Sequence, residues 1–256
     1  MEEKLFWGNF KGIKRFIPDL FTLGNLALGV VALFYLLESN YDLCISLVFL
    51  AMVLDGLDGK LAVRLKVDSE RGKQLDSLCD LVSFGVVPAA VFYAVLLKDF
   101  GILGMSTAFL FPLAGAWRLA RFNLLPSSEK GDFTGLPITI AGGALVAIIL
   151  QGFFTGSWLA LPYSFFLSFL MVSKIRYPAM KRKYKEDREG GSSSFLLFYL
   201  SIAVFIILFL FRREWIFFLL SAYIGIGFIC GLYGMLRGLK KEKAYLFAPW
   251  GSRGDF

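Results

Sequence analysis

Long apolar runs separated by short polar connections set the pattern of this chain. Eight of them, at 19–37, 43–63, 74–97, 101–120, 136–154, 157–173, 194–211 and 214–236, come close to the length a helix needs to cross the hydrocarbon core, about 20 residues. The pattern predicts an all-α, polytopic integral membrane protein of about eight transmembrane helices. The longest connection, 174–193, carries Lys174, Arg176, Lys181, Arg182, Lys183, Lys185 and Arg188 ahead of a Gly-Gly-Ser-Ser-Ser linker. It marks a seam between a six-helix core and a terminal pair. The expected organisation is an N-terminal cytoplasmic segment (1–18), the core (19–175), a basic cytoplasmic loop (176–193), a terminal helix pair (194–236) and a cytoplasmic tail (237–256).

The polar positions set the orientation. With both termini cytoplasmic, the inner segments 1–18, 60–73, 118–134, 174–191 and 237–256 hold all but three of the 27 Lys and Arg, leaving only Lys98, Arg212 and Arg213 outside. That asymmetry follows the positive-inside rule and requires an even number of spans. The basic N-terminus followed by an apolar run has the outline of a signal peptide. It lacks a small-residue cleavage site and is long enough to span, so it reads as an uncleaved first helix.

Composition adds exclusions. At 57% hydrophobic and 18% charged residues, with a mean hydropathy of +0.66, the chain is too apolar for a soluble surface. The net charge of +7 suits anionic lipid headgroups on the cytoplasmic face, and no nucleic-acid partner is expected. Histidine is absent altogether. A Ser-His-Asp triad, a His-ligated zinc, a proximal haem ligand and a histidine pH switch are therefore excluded. Cys44, Cys79 and Cys230 are odd in number and lie in apolar runs, where they read as small hydrophobes.

The chemistry concentrates in 55–85, DGLDGKLAVRLKVDSERGKQLDSLCDLVSFG. Asp55 and Asp58 stand i, i+3 near the cytoplasmic end of the second helix. Asp76 and Asp80 stand i, i+4 at the start of the third. Each spacing puts both carboxylates on one helical face, and the short loop through Gly72 makes the two helices antiparallel neighbours. An Asp at the centre of a spanning helix costs about 2.5–3.5 kcal/mol on the insertion scale, so four need compensation. Lys60, Arg64, Lys66, Arg71 and Lys73 offset part of the charge. Clustered oxygen ligands without imidazole or thiolate suit Mg²⁺ or Mn²⁺. A carboxylate-lined ion path, as in a divalent-cation transporter, is the alternative reading. The acids gather at one face rather than being staged through the bilayer, which weighs against it.

This segment resembles the signature of the CDP-alcohol phosphotransferase family, Asp-x-x-Asp-Gly-x-x-Ala-Arg-x(8)-Gly-x(3)-Asp-x(3)-Asp, through Asp55, Asp58, Gly59, Ala62, Gly72, Asp76 and Asp80. One position departs from it. Val63 stands where the family has Arg, and an Arg follows one residue later. A one-residue step turns a side chain about 100° around a helix, so Arg64 must reach round or Lys60 must take over the phosphate contact. Ile17 to Asn25 resembles the family's entry to its first helix, with Asp19 in place of Asn. Arg118-Leu-Ala-Arg121-Phe-Asn123, Phe133-Thr-Gly-Leu-Pro137 and Leu81-Val-Ser-Phe-Gly85 resemble motifs of its phosphatidylserine synthase branch.

The resemblance implies transfer of a phosphatidyl group from CDP-diacylglycerol to the hydroxyl of L-serine, with release of CMP. An archaetidylserine synthase, using an isoprenoid lipid donor, or a relative with another acceptor is the nearest alternative. The resemblance further implies that Asp55, Asp58 and Asp76 hold the metal on the diphosphate and that Asp80 completes the site and acts as general base. Thr22, Gly59, Lys60, Ala62, Arg64, Gly72 and Lys73 would line the CDP-diacylglycerol site. Arg118 and Arg121, i, i+3 at the end of the fourth helix, form a suitable fork for the serine carboxylate, or else they are anchors snorkelling to headgroups. Asn123 and Ser83 are further candidates for serine, each equally a cap or packing residue. Membrane lipid surrounds the core, and the family expectation is a homodimer. Gly227 and Gly231 fit either a dimer face or intramolecular packing.

Overall fold

The computed structural model describes residues 2–65, 69–124, 133–152, 158–177 and 192–246; within these, the side chains of 2–17, 60–64, 133, 176, 192–199, 201–202 and 235–246 lie outside the description. The molecule is built from helices. Each predicted apolar run overlaps one, because a chain without water to hydrogen-bond must satisfy its backbone internally.

Helix α1 (Glu2–Leu37) runs unbroken through Pro18 and begins well before the predicted span. Charge ends a membrane span without ending a helix, so the apolar stretch Pro18–Leu37 agrees with the predicted span while the helix extends beyond it. Ser39, at φ +58°, turns the chain, and the Asn40 side chain accepts the Leu43 N–H to cap α2 (Tyr41–Leu65). Ser69 caps α3 (Glu70–Asp80) in the same way, accepting from the Gly72 N–H at 3.0 Å.

Beyond Asp80 the helix widens into a π-helical turn, Leu81–Val86, before α4 (Val87–Phe92). Pro88 explains the widening, since it has no N–H to return to the Phe84 carbonyl. Gly142 packs directly over that carbonyl, where a Cβ would collide. A second π-helical turn, Tyr93–Leu97, and a short 3₁₀ turn lead into α5 (Gly101–Leu124).

Helices α6 (Ile138–Ala147) and α7 (Ala160–Val172) follow. Nearly every α6 side chain is buried, so α6 is the bundle's centre. Its small residues permit this: besides Gly142 on Phe84, Gly143 packs against Met52 and Leu220. A two-residue antiparallel pair ties the chain near Gly135 to the end of α7: β1 (Phe133–Thr134) against β2 (Arg176–Tyr177). The sequence reading did not anticipate it. Helices α8 (Ser192–Phe211) and α9 (Glu214–Leu246) complete the fold.

Three stretches among the described residues have the length and hydropathy of a span: Pro18–Leu37, Glu70–Leu124 and Glu214–Gly234. The second contains both α3–α4 and α5. In α2, Asp42, Asp55, Asp58, Lys60 and Arg64 dilute the apolar run, while Ile138–Gln151 and Ala160–Val172 are shorter apolar helices. Residues 153–157, between the expected 136–154 and 157–173 spans, lie outside the described residues. The exterior is strongly apolar, with Leu103, Phe109, Leu113 and Trp117 of α5 and Phe165 and Phe169 of α7 exposed. Such a surface belongs in lipid.

Candidate active site

Helices α2 and α3 bring the two aspartate pairs together, as their spacing predicts. Asp55, Asp76 and Asp80 each present a carboxylate oxygen, and these oxygens lie within 4.8 Å of one another. At that separation two like charges repel by about 3–4 kcal/mol at an effective dielectric of 20. Three converging carboxylates with no nitrogen or sulfur donor among them fit a hard divalent cation, which offsets the repulsion. Asp58 is not one of this trio but lies within electrostatic reach of all three. It is 4% exposed and accepts a hydrogen bond from Thr22 Oγ1 at 2.9 Å.

A polar group from another helix meets each of three aspartates. Thr22 of α1 serves Asp58, Thr139 Oγ1 of α6 donates to Asp55 at 3.2 Å, and Asn25 Nδ2 of α1 donates to Asp80 at 3.3 Å. Asn25 and Thr139 were missed in the sequence. Their signal was a lone polar side chain in an apolar helix, with Asn25 three residues beyond Thr22 on one face.

The remaining sequence candidates divide. Among the described residues, a Cβ at Gly59 would meet nothing within 4 Å. Gly72 faces Ser69 Oγ and the Asp19 carboxylate, and Lys73 pairs with Glu70 at 2.8 Å. The side chains of Lys60, Ala62 and Arg64 lie outside the described residues. Ser83 donates to the Asn25 backbone carbonyl at 3.1 Å, and Asn123 Nδ2 donates to Ser77 Oγ at 2.9 Å, joining α5 to α3.

The two arginines have different surroundings. Arg118 is 5% exposed, lies over the Phe122 ring at 5.9 Å, and is within electrostatic reach of Asp80, Asp55 and Tyr223. The Arg121 guanidinium instead donates to the backbone carbonyls of Val172 at 2.8 Å, Thr134 at 2.9 Å, Ser173 at 3.1 Å and Met171 at 3.4 Å. It caps α7 and fastens β1 to it. Gly135, at φ +81°, makes room, since a Cβ there would strike the Met171 carbonyl and lie 2.8 Å from the Arg121 guanidinium.

The family model described as CDP-alcohol phosphatidyltransferase matches residues 15–172, a stretch that contains the whole aspartate constellation. The chain belongs to this family. Among its CDP-alcohol phosphatidyltransferase relatives, the Bacillus subtilis (strain 168) protein named CDP-diacylglycerol–serine O-phosphatidyltransferase is 38% identical over 177 residues, 69% of this chain and 98% of its own length. The Helicobacter pylori protein of the same name is 38% identical over 172 residues, covering 64% of this chain and 73% of its own. An archaetidylserine synthase from Methanothermobacter thermautotrophicus is 36% identical over 177 residues, covering 66% and 73%.

Proposed function

We propose that this protein transfers the phosphatidyl group of CDP-diacylglycerol to the hydroxyl of L-serine, producing phosphatidylserine and CMP. The observation that carries the reading is the convergence of Asp55, Asp76 and Asp80 beside buried Arg118, in a chain matching nearly the full length of a serine phosphatidyltransferase.

Asp55, Asp76 and Asp80, with Asp58 alongside, are the residues that would hold Mg²⁺ or Mn²⁺. Such an ion supplies positive charge to the diphosphate and to the departing CMP. The protein's own groups bind, orient and move the proton. Arg118 pairs with the serine carboxylate and brings the hydroxyl to the aspartates. Asp80 accepts the hydroxyl proton as the serine oxygen bonds to the lipid-bearing phosphorus and the bond from that phosphorus to CMP breaks, the electron pair leaving with CMP. The nucleotide would bind at Gly59, in a site to which the family resemblance also assigns Thr22, Lys60 or Arg64, Ala62, Gly72 and Lys73. Arg121, Asn123 and Ser83 hold the acceptor side of the scaffold through the bonds described above.

We further infer eight spans, a 19–175 core, both termini and the site on the cytoplasmic side, and a homodimer in the membrane. The distribution of Lys and Arg supports the orientation. A second reading, archaetidylserine synthesis, has the archaeal relative in its favour and differs in the lipid part of the donor.

Purified protein given CDP-diacylglycerol, a divalent metal and labelled serine should convert the label into extractable phosphatidylserine. Faster turnover of the CDP-activated isoprenoid ether would select the second reading. No lipid product with either donor, alongside Mn²⁺ uptake into proteoliposomes, would overturn both in favour of a transporter.

A further inference from the structure

The polar face of α1 is fitted to Asp80 more closely than a membrane helix requires. Asn25 is fully buried. A carboxylate only accepts hydrogen bonds, so the amide turns its Nδ2 to Asp80, and its Oδ1 then meets no hydrogen-bond partner among the described residues. An orphaned buried oxygen carries a desolvation penalty that an apolar side chain of the same size would avoid. What the amide contributes in return is the donor to Asp80. The backbone is fixed as well, by the Ser83 hydroxyl on the Asn25 carbonyl. Gly29 lets the π-helical turn approach, since a Cβ there would lie 2.5 Å from Ser83 Oγ.

We propose that Asn25 is a positioning residue that sets the orientation of the Asp80 carboxylate, with Ser83 as the latch that holds Asn25 in place. The inference rests on the role given to Asp80 in the proposed transfer. Asn25 occupies one Asp80 oxygen and so directs the other toward Asp55, Asp76 and the incoming hydroxyl. Being sealed from solvent, it acts through Asp80 and does not touch serine.

The test compares Asn25→Leu and Asn25→Val, which stay near the volume and lose the donor, with Ser83→Ala, a small change expected to fold. Loss of an outer hydrogen bond to a ligating or reacting group typically costs about 10–100-fold. Both Asn25 variants should lose turnover by that factor, with KM for serine and for CDP-diacylglycerol within about threefold of the parent. They should also bind Mn²⁺ at least about tenfold more weakly, read from the free-ion electron paramagnetic resonance signal. Ser83→Ala should show a smaller fall in kcat, also without a change in KM.

Turnover and Mn²⁺ affinity near the parent's in Asn25→Leu would reduce Asn25 to packing and overturn the proposal. A rise in serine KM as the main effect of Ser83→Ala would also overturn it, placing Ser83 on the acceptor instead. The parent protein's serine-dependent CMP release is measured alongside. Its absence would count against the transferase reading, whereas a normal parent with unaffected variants would count against Asn25 alone.

Discussion

Asp80 combines three properties at residue scale: it belongs to the converging trio, it is almost sealed from solvent, and it has a dedicated donor in Asn25. Asp80→Asn should reduce transfer by at least about 10³-fold, because in the proposed transfer it removes both a ligand and the proton acceptor. CDP-diacylglycerol binding, followed by equilibrium dialysis in detergent, should largely survive. The two arginines should separate in the same spirit. Arg118→Ala is expected to raise serine KM by about 10–100-fold, through loss of a charge-assisted pair of roughly 1.5–3 kcal/mol, and to leave the liponucleotide KM within about threefold. Arg121→Ala removes four carbonyl contacts instead. Its first effect should be a lower melting temperature in detergent, while the serine KM of the protein that remains folded changes little.

At the scale of elements, close approach through glycine decides the packing. Gly142 lies on the Phe84 carbonyl, and Gly227 of α9 lies on the ring of Tyr177, which stacks on Tyr223 with centroids 6.3 Å apart. Burial and the neighbouring Tyr223 push the Tyr177 phenol up to about 12, so it stays neutral. Gly227 thus serves an intramolecular contact, one of the two uses its spacing with Gly231 allows. Gly142→Val should overpack α6 against the π-helical turn and cost about 1–3 kcal/mol, seen as reduced thermal stability and a fall in kcat without a selective rise in serine KM.

Much of this level was legible in the sequence. Apolar run length located the helices, and the i, i+3 and i, i+4 aspartates fixed which faces of α2 and α3 meet. What stayed hidden depends on the partner rather than the period. Nothing in the spacing of Arg118 and Arg121 says that one faces carboxylates and the other the end of α7. Nor does hydropathy reveal that α6, apolar on every side, is central to the bundle instead of facing lipid.

The whole molecule joins two solvents. Its exterior carries exposed Phe, Leu and Trp suited to lipid, while polar groups gather where α1, α2, α3 and α6 meet. That arrangement suits a donor arriving from the bilayer and an acceptor arriving from water. Chelation should abolish transfer reversibly, with Mg²⁺ or Mn²⁺ restoring it, because three carboxylates converge there to hold such an ion. The absence of histidine, which first served to exclude mechanisms, is compatible with the proposed one, in which carboxylates supply both the ligands and the proton acceptor.

The most direct test of the central claim is CMP release from CDP-diacylglycerol by the purified protein, measured side by side with serine, inositol and glycerol 3-phosphate as acceptors. The account predicts rapid release with serine and background release with the other two. Release favouring inositol or glycerol 3-phosphate, or independent of any acceptor, would contradict it.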